Sequence, residues 1–124
     1  MASKRLDDLS PRFRPIAIEL VARCIEAGVQ VRIIDTLRTM FEQEENLANG
    51  VSWTLKSKHL PQPDGGDNLA EAIDIAPISV LALKNWGPLH PDWKKIGAIG
   101  ESLGLLWGGA WTKTPDPGHF EIKL

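Results

Sequence analysis

The chain has 124 residues, with 14 basic and 16 acidic side chains, a net charge of -2 and one cysteine. This length predicts a single domain over residues 1–124, whose first nine residues are polar and loosely held. The near balance of charges disfavours nucleic acid as the main partner, because binding to a polyanion needs a basic surface that displaces counterions. The lone Cys24 excludes an internal disulfide.

No apolar run is long enough to cross a membrane. The longest, from Ile73 to Leu83, is interrupted by polar residues and is far shorter than the roughly 20 residues that a spanning helix needs. The N-terminus lacks the apolar segment of a secretory signal. We therefore expect no membrane span and a protein that stays in the cytoplasm where it is made.

Helices and strands are predicted in an irregular order. Apolar residues at three- and four-residue steps, with capping and terminating residues, predict helices over residues 11–27, 39–48 and 91–104. Alternation and short apolar runs predict strands over residues 29–35 and 72–76 and within 105–111 and 119–124. This order, with an irregular loop over 57–69, predicts an α+β domain with a small, mostly antiparallel sheet packed against about three helices.

Asp74 is the most informative polar residue, because it lies inside the apolar segment EAIDIA. An ionised carboxylate there is costly to bury unless a cation meets it. A metal ion, the side chain of Arg38 or exposure on an edge strand would each satisfy it, and the residues alone leave these alternatives open. The histidines are His59, His90 and His119, so a metal site with histidine ligands must draw on these and on carboxylates.

A stiff turn, Asp116-Pro117-Gly118-His119, precedes the last predicted strand. It places a carboxylate three residues before a histidine, which suits a general base beside a metal-activated water. Glu121 competes for that role, because residues two apart on a strand share a face and Glu121 therefore emerges beside His119. The spacing does not choose between the two carboxylates. His90, just ahead of the third helix, is interpreted as a loop or capping residue.

Several segments together resemble the M15 zinc peptidases, which include D-Ala-D-Ala carboxypeptidases, D-Ala-D-Ala dipeptidases and L-alanyl-D-glutamate endopeptidases of bacterial cell walls. The matching segments, in family order, are IIDTLRTMFEQ (33–43), SKH (57–59), AEAIDIAP (70–77), GLLWGGAW (104–111) and DPGHFEI (116–122). Gly-Gly-x-Trp ahead of Asp-x-x-His-Phe is most similar to the L-alanyl-D-glutamate peptidase branch, which includes phage endolysins.

The resemblance implies the zinc-peptidase fold shared by D-Ala-D-Ala carboxypeptidases and hedgehog-like domains. It also implies a Zn²⁺ ion held by His59, Asp74 and His119, with Asp116 rather than Glu121 as the catalytic acid and base. One difference stands out: 15 positions separate His59 from Asp74 here, about twice the usual family spacing. The additional residues predict a loop at the rim of the site, a length change that costs little closure entropy.

Further residues are expected near the substrate or in support of the fold. By resemblance, Arg38 holds or polarises substrate, Ser57 contacts substrate or supports the first ligand, and Gln43 supports the fold. Trp111 is a candidate for the wall of the substrate cleft. Trp107 is a second candidate, although packing in the core explains it at least as well. The remaining tryptophans are interpreted as structural: Trp53, Trp86 and Trp93.

The loop cluster of Asp64, Asp67 and Asn68 suits turns better than a calcium site, although both use these residue types.

The resemblance implies zinc-dependent hydrolysis of the L-alanyl-D-glutamate bond in the peptidoglycan stem peptide. The chain would then act as a monomeric endolysin, held in the host cytoplasm until a holin opens the membrane, although a cellular wall-recycling enzyme would share the chemistry. Three alternatives remain: a D,D-carboxypeptidase or dipeptidase of the same family, a non-catalytic zinc-binding module, and a metal-free domain in which Asp74 pairs with Arg38.

Overall fold

The computed structural model describes residues 2–48 and 57–123, apart from the side chain of Asn46. Within these residues the elements, in chain order, are α1 (Arg14–Glu26), β1 (Val31–Asp35), α2 (Met40–Ala48), β2 (Ala72–Pro77), α3 (Pro91–Ser102), β3 (Leu106–Trp107) and β4 (His119–Glu121). The strands form one sheet in the order β1-β2-β4-β3, and each neighbouring pair is antiparallel. The predicted α+β architecture, with a small antiparallel sheet and three helices, is confirmed.

Element boundaries differ from the sequence prediction by a few residues. Residues 11–13 form a turn ahead of α1, in which the Ser10 hydroxyl accepts a hydrogen bond from the Phe13 N–H at 3.2 Å. Strand β1 begins at Val31, two residues later than expected. The expected end of the second helix, at Asn49 and Gly50, and the structural interpretation of Trp53 lie outside the described residues.

Capping explains where two helices begin. At the start of α2, the Thr39 hydroxyl accepts from the Glu42 N–H at 3.1 Å, and the Glu42 carboxylate accepts from the Thr39 N–H at 3.0 Å. This reciprocal pair is a capping box. At the start of α3, the His90 ring accepts from the Asp92 N–H at 3.1 Å, so the capping interpretation of His90 is confirmed.

The N-terminal segment differs from the expected loose tail. The Ser3 N–H donates to the Leu37 carbonyl at 2.8 Å, and the Ser3 carbonyl accepts from the Thr36 N–H at 2.7 Å. Leu9 is fully buried in the core. Leu6 and Leu9 of this segment pack on the core and so help to hold the N-terminal segment in place.

The core lies between the sheet and helices α1 and α3. Ile73, Ile75 and Phe120 of the inner strands are buried there. A Cβ on Gly100 would overlap the Phe120 ring, so α3 can pack this closely on β4 only with glycine at that position. Cys24 of α1 is also buried, and burial raises the pKa of its thiol to about 11, as expected for a small core residue.

The loop before β2 is held by an ionic network between an exposed arginine and a buried glutamate. Arg12 donates to both carboxylate oxygens of Glu71, at 2.6 and 2.7 Å, and to the carbonyl of Asp64 at 3.0 Å. Asp67 and Asn68 adopt left-handed backbone conformations, with φ of 54° and 59°, which supports the interpretation of this cluster as turn residues. In the part of the chain that is described, no helix has the length and apolar character required to span a membrane.

Candidate metal centre

The sheet register brings Asp74 and His119 together. Asp74 on β2 lies directly opposite His119 on β4, while Asp35 on β1 is its partner on the other side. Strand β2 therefore lies inside the sheet, and the interpretation of Asp74 as a solvent-facing residue on an edge strand is wrong. The Asp74 side chain is 20% exposed, so its charge has to be met by neighbouring groups.

His59 is docked on the chain that follows β1. Its Nδ1 lies 2.6 Å from the Thr36 carbonyl oxygen. Because that oxygen can only accept a hydrogen bond, Nδ1 carries the proton. The His59 carbonyl accepts from the Arg38 N–H at 2.7 Å. The Ser57 hydroxyl accepts from the His59 N–H at 3.1 Å. With the proton on Nδ1, the buried Nε2 presents a lone pair and has no hydrogen-bond partner in the structure.

His119 contacts a carboxylate through each ring nitrogen. Its Nδ1 lies 3.0 Å from Asp74 Oδ1, and its Nε2 lies 2.8 Å from Glu121 Oε1. His59 Nε2 lies 3.0 Å from the same Asp74 oxygen. One ligand atom from each of these three residues therefore falls within 4.8 Å of the others, a group that could hold a metal ion.

The chemistry of this group fits zinc. Two imidazole nitrogens and one carboxylate oxygen are a common set of protein ligands for a catalytic Zn²⁺, which keeps one further position open. The unpartnered Nε2 of His59 is the clearest sign of a metal site. Its buried lone pair faces the Asp74 carboxylate, and the two gain a favourable contact only when a cation lies between them. The structure thus brings together the three residues that the sequence analysis proposed as ligands.

Electrostatics agree with a cation at this position. Burial disfavours the ionised form of Asp74, but the nearby His59 and His119 side chains hold its pKa below the usual range. Burial likewise opposes a charge on His119, yet hydrogen bonds to Asp74 and Glu121 raise its pKa to about 10. A proton on His119 and a bound divalent cation are alternative ways to neutralise these carboxylates.

Asp116 is held beside this group by a tight turn. Its N–H donates to the Gly108 carbonyl at 2.9 Å, and its carbonyl accepts from the His119 N–H at 3.1 Å. A Cβ on Gly108 would lie 2.5 Å from the Asp116 carbonyl oxygen, so only glycine permits this approach. Two effects raise the pKa of Asp116: burial, which removes water from its carboxyl group, and the negative charge of the nearby Asp74. A raised pKa suits a group that exchanges protons.

Glu121 does share a face with His119, as the strand spacing predicts, but it is bound to the Nε2 side of the ring. The Nδ1 side, by contrast, faces Asp74. Glu121 is therefore placed to orient His119, in the way that carboxylates commonly orient zinc-binding histidines. Asp116 borders the same cavity as Asp74.

Arg38 lies next to the group without satisfying Asp74 by itself. Its Nη2 lies 2.8 Å from Asp35 Oδ2 and 3.8 Å from Asp74 Oδ2, and its Nη1 donates to Gln43 Oε1 at 2.6 Å. Gln43 is fully buried and thus positions the guanidinium. The stronger pairing with Asp35 weakens the metal-free alternative, in which Arg38 is the counterion of Asp74.

Two cavities flank the group. One, of about 250 Å³, is called the Trp86 cavity and is bordered by Asn85, Trp86, Trp93, Asp74 and Asp116 among others. The other, of about 680 Å³, is called the Lys113 cavity and is bordered by Ala110, Trp111, Lys113 and Glu121 among others. The Trp111 and His119 rings lie 5.2 Å apart, centre to centre, so Trp111 forms a wall next to the metal centre.

Sequence reasoning did not place Asn85 and Trp86 beside the Trp86 cavity. Both adopt left-handed conformations, with φ of 53° and 56°, and Trp86 is 41% exposed at the cavity instead of being packed as a structural residue. The Trp93 indole holds this segment by donating to the Trp86 carbonyl at 3.1 Å. Backbone strain of this kind is concentrated at functional sites. The adjacent Gly87 was the one sequence signal of an unusual turn.

Comparisons with known proteins agree with this geometry. Residues 68–122 match the model of a peptidase M15 family described as D-alanyl-D-alanine carboxypeptidase. The L-alanyl-D-glutamate peptidase of Listeria phage A118 is 33% identical over 97 residues, which are 77% of this chain and 31% of that protein. The L-alanyl-D-glutamate peptidase of Escherichia phage T5 is 29% identical over 131 residues, covering 98% of this chain and 85% of that protein.

A solved structure extends the similarity to three dimensions. The Serratia marcescens L-Ala D-Glu endopeptidase ChiX superposes with a TM-score of 0.64 at 25% identity, covering 95% of this chain and 83% of that one. The chain spans about a third of the Listeria phage relative, but most of the phage T5 relative and of ChiX. The chain is thus similar to peptidases of the M15 family, and the relatives and the solved structure that it resembles are named as L-alanyl-D-glutamate peptidases.

Proposed function

We propose that this protein is a zinc-dependent endopeptidase that hydrolyses the L-alanyl-D-glutamate bond of the peptidoglycan stem peptide. The observation that carries the proposal is the convergence of His59 Nε2, Asp74 Oδ1 and His119 Nδ1 next to a carboxyl group, Asp116, of raised pKa. The choice of bond is supported by the names of the Listeria phage, phage T5 and Serratia relatives, which are L-alanyl-D-glutamate peptidases.

The mechanism assigns one role to each residue of the centre. His59, Asp74 and His119 would hold the zinc ion, which when bound supplies a Lewis acid that polarises a carbonyl and lowers the pKa of water. Asp116 takes a proton from the attacking water as its oxygen bonds to the alanyl carbonyl carbon. It returns that proton to the glutamyl nitrogen as the carbon–nitrogen bond breaks, so that a carboxylic acid and an amine are formed.

Neighbouring residues support this chemistry. Ser57 fixes the backbone of His59, and Glu121 fixes the ring of His119. Arg38, held by Asp35 and Gln43, contributes a positive charge at the edge of the centre, where it can polarise substrate. Trp111 forms the wall of the cleft next to His119.

The biological setting that fits best is host lysis by a phage endolysin. Two of the relatives are phage proteins, whereas ChiX is bacterial, so a cellular wall enzyme is the alternative setting. We further propose one catalytic domain over residues 1–124, a monomeric state, and retention in the host cytoplasm until a holin gives access to the wall. Size-exclusion chromatography with light scattering tests the monomeric state.

The proposal is tested by release of soluble peptide from purified bacterial sacculi. The zinc-loaded protein should release peptide, a chelator should stop the release, and added zinc should restore it. No release by protein that binds one zinc ion per chain would support the non-catalytic zinc module instead. The description of the matching family model favours a second candidate, a D-alanyl-D-alanine carboxypeptidase, which would release only terminal D-alanine.

A further inference from the structure

The two cavities differ in charge. The residues that border the Trp86 cavity include two carboxylates, Asp74 and Asp116, and no basic side chain among the described residues. The Lys113 cavity contains one basic residue, Lys113, and one acidic residue, Glu121. An anionic group of a substrate therefore finds no basic side chain among the described residues of the first cavity and can be paired with Lys113 in the second.

Lys113 is the basic residue, among the described residues that border the Lys113 cavity, that remains available to a ligand. It is exposed, and no described carboxylate lies within ion-pair distance of it. Arg38, the other neighbouring cation, is 7% exposed and already paired with Asp35 at 2.8 Å. Glu121 does not neutralise Lys113, because its carboxylate is bound by the His119 ring at 2.8 Å and its side chain is 18% exposed.

The proposed substrate is charged on one side of the scissile bond. A D-glutamate residue joined to L-alanine through its nitrogen keeps one free carboxylate, because only one of its two carboxyl groups continues the peptide. The alanyl side carries a methyl group and leads to the glycan, without a charge next to the bond. The two sides of the bond thus differ in charge in the same way as the two cavities.

We propose that the substrate lies across the metal centre in one direction, with the free carboxylate of D-glutamate paired with Lys113 and the alanyl side in the Trp86 cavity. This assignment rests on the proposed function and adds to it a residue that recognises the amine side of the bond. Lys113 acts as a binding residue, so its loss should raise KM for the acidic substrate and leave kcat close to the original value.

The experiment compares two stem peptides, one with the free D-glutamate carboxylate and one in which that carboxylate is a carboxamide. The unmodified protein should cleave the acidic peptide with kcat/KM roughly three to ten times higher, the range expected for an exposed to partly buried ion pair. The preference should shrink as salt is added. In Lys113→Gln the two peptides should be cleaved equally well, and in the control Lys94→Gln, which removes an exposed charge on α3, the preference should remain.

Binding of the products gives a second readout. Calorimetry should show that the product beginning with D-glutamate binds the zinc-loaded protein more tightly than its carboxamide analogue, and that Lys113→Gln removes this difference. Equal cleavage of both peptides by the unmodified protein, or a preference that survives in Lys113→Gln, would overturn the assignment and leave the proposed function intact. Cleavage of neither peptide would overturn both.

Discussion

The Nε2 atom of His119 lies 2.8 Å from Oε1 of Glu121, two residues further along the same strand. This contact leaves Nδ1 of the ring facing Asp74 and fixes which nitrogen is available to a metal ion. A two-residue spacing on a strand is thus sufficient to set both the ligand atom and its orientation.

Replacement of Glu121 should weaken zinc binding. We expect Glu121→Ala to lower zinc affinity about 10- to 100-fold, because the His119 ring loses the acceptor that orients it. Glu121→Gln keeps an acceptor oxygen and should have a smaller effect. Competition with a chromogenic chelator measures the affinity, with Glu101→Ala, an exposed change on α3, as the control. Unchanged affinity in Glu121→Ala would remove this role from Glu121.

Replacement of Asp116 should separate metal binding from catalysis. Asp116→Asn keeps the size of the side chain and removes its ability to accept a proton. We expect zinc content to stay at one ion per chain while kcat falls about 100- to 10,000-fold, the usual contribution of a general acid and base. Metal analysis and peptide cleavage on the same preparation test this. Retained activity would show that another group transfers the proton.

Gly108 should be required for the position of Asp116. In Gly108→Ala the new Cβ would lie 2.5 Å from the Asp116 carbonyl and 3.0 Å from the His119 Cβ, so the turn must shift. A displacement of about 1 Å at such a site can reduce activity about 100-fold. Gly28→Ala is the control: it strains a backbone with φ of 87° but meets no atom within 4 Å. It should cost about 1 kcal/mol of stability and leave activity unchanged.

The Arg12–Glu71 network should make stability depend on pH. Hydrogen bonds from Arg12 and then Ser10, working against burial, hold the pKa of Glu71 below its usual range. A carboxyl with a lowered folded-state pKa stabilises the fold above its unfolded-state pKa, and this contribution is lost as the pH falls through the folded-state value.

Urea unfolding of the original protein and Glu71→Gln, each at several pH values, tests this dependence. The variant should be less stable by about 1–3 kcal/mol at neutral pH, since Ser10 and Arg12 lose a charged acceptor. The difference should shrink below about pH 4, where an ordinary glutamate is protonated in the unfolded chain. A difference that does not change with pH would contradict the network's electrostatic role.

The candidate ligand group is predicted through the family resemblance, and its members lie in distinctive settings. Asp74 interrupts an apolar strand, and His119 follows a stiff turn. Spacing alone does not choose between Asp116 and Glu121 as the acid and base. In the structure the Glu121 carboxylate is bound by the His119 ring, whereas Asp116 borders the same cavity as Asp74. The edge-strand alternative for Asp74 failed for a related reason, since strand order is set by pairing between distant segments.

The features that sequence reasoning missed depend on long-range contacts. The orientation of His59 is set by the Thr36 carbonyl, 23 residues away. The loop before β2 is held by Arg12, 59 residues from Glu71. Trp86 was interpreted as structural because tryptophan usually packs in a core, whereas a left-handed backbone turns it toward the cavity. Periodicity reports none of these contacts, because they join elements that are far apart in the chain.

Hydrolysis of the L-alanyl-D-glutamate bond is tested most directly by mass spectrometry of muropeptides after purified peptidoglycan is incubated with the zinc-loaded protein, with and without a chelator. We expect stem peptides with a new N-terminal D-glutamate, together with glycan that retains only L-alanine, and neither product when the chelator is present. Loss of terminal D-alanine alone would assign the chain to carboxypeptidase activity. An unchanged muropeptide profile, with one zinc ion bound per chain, would contradict the proposed enzymatic function.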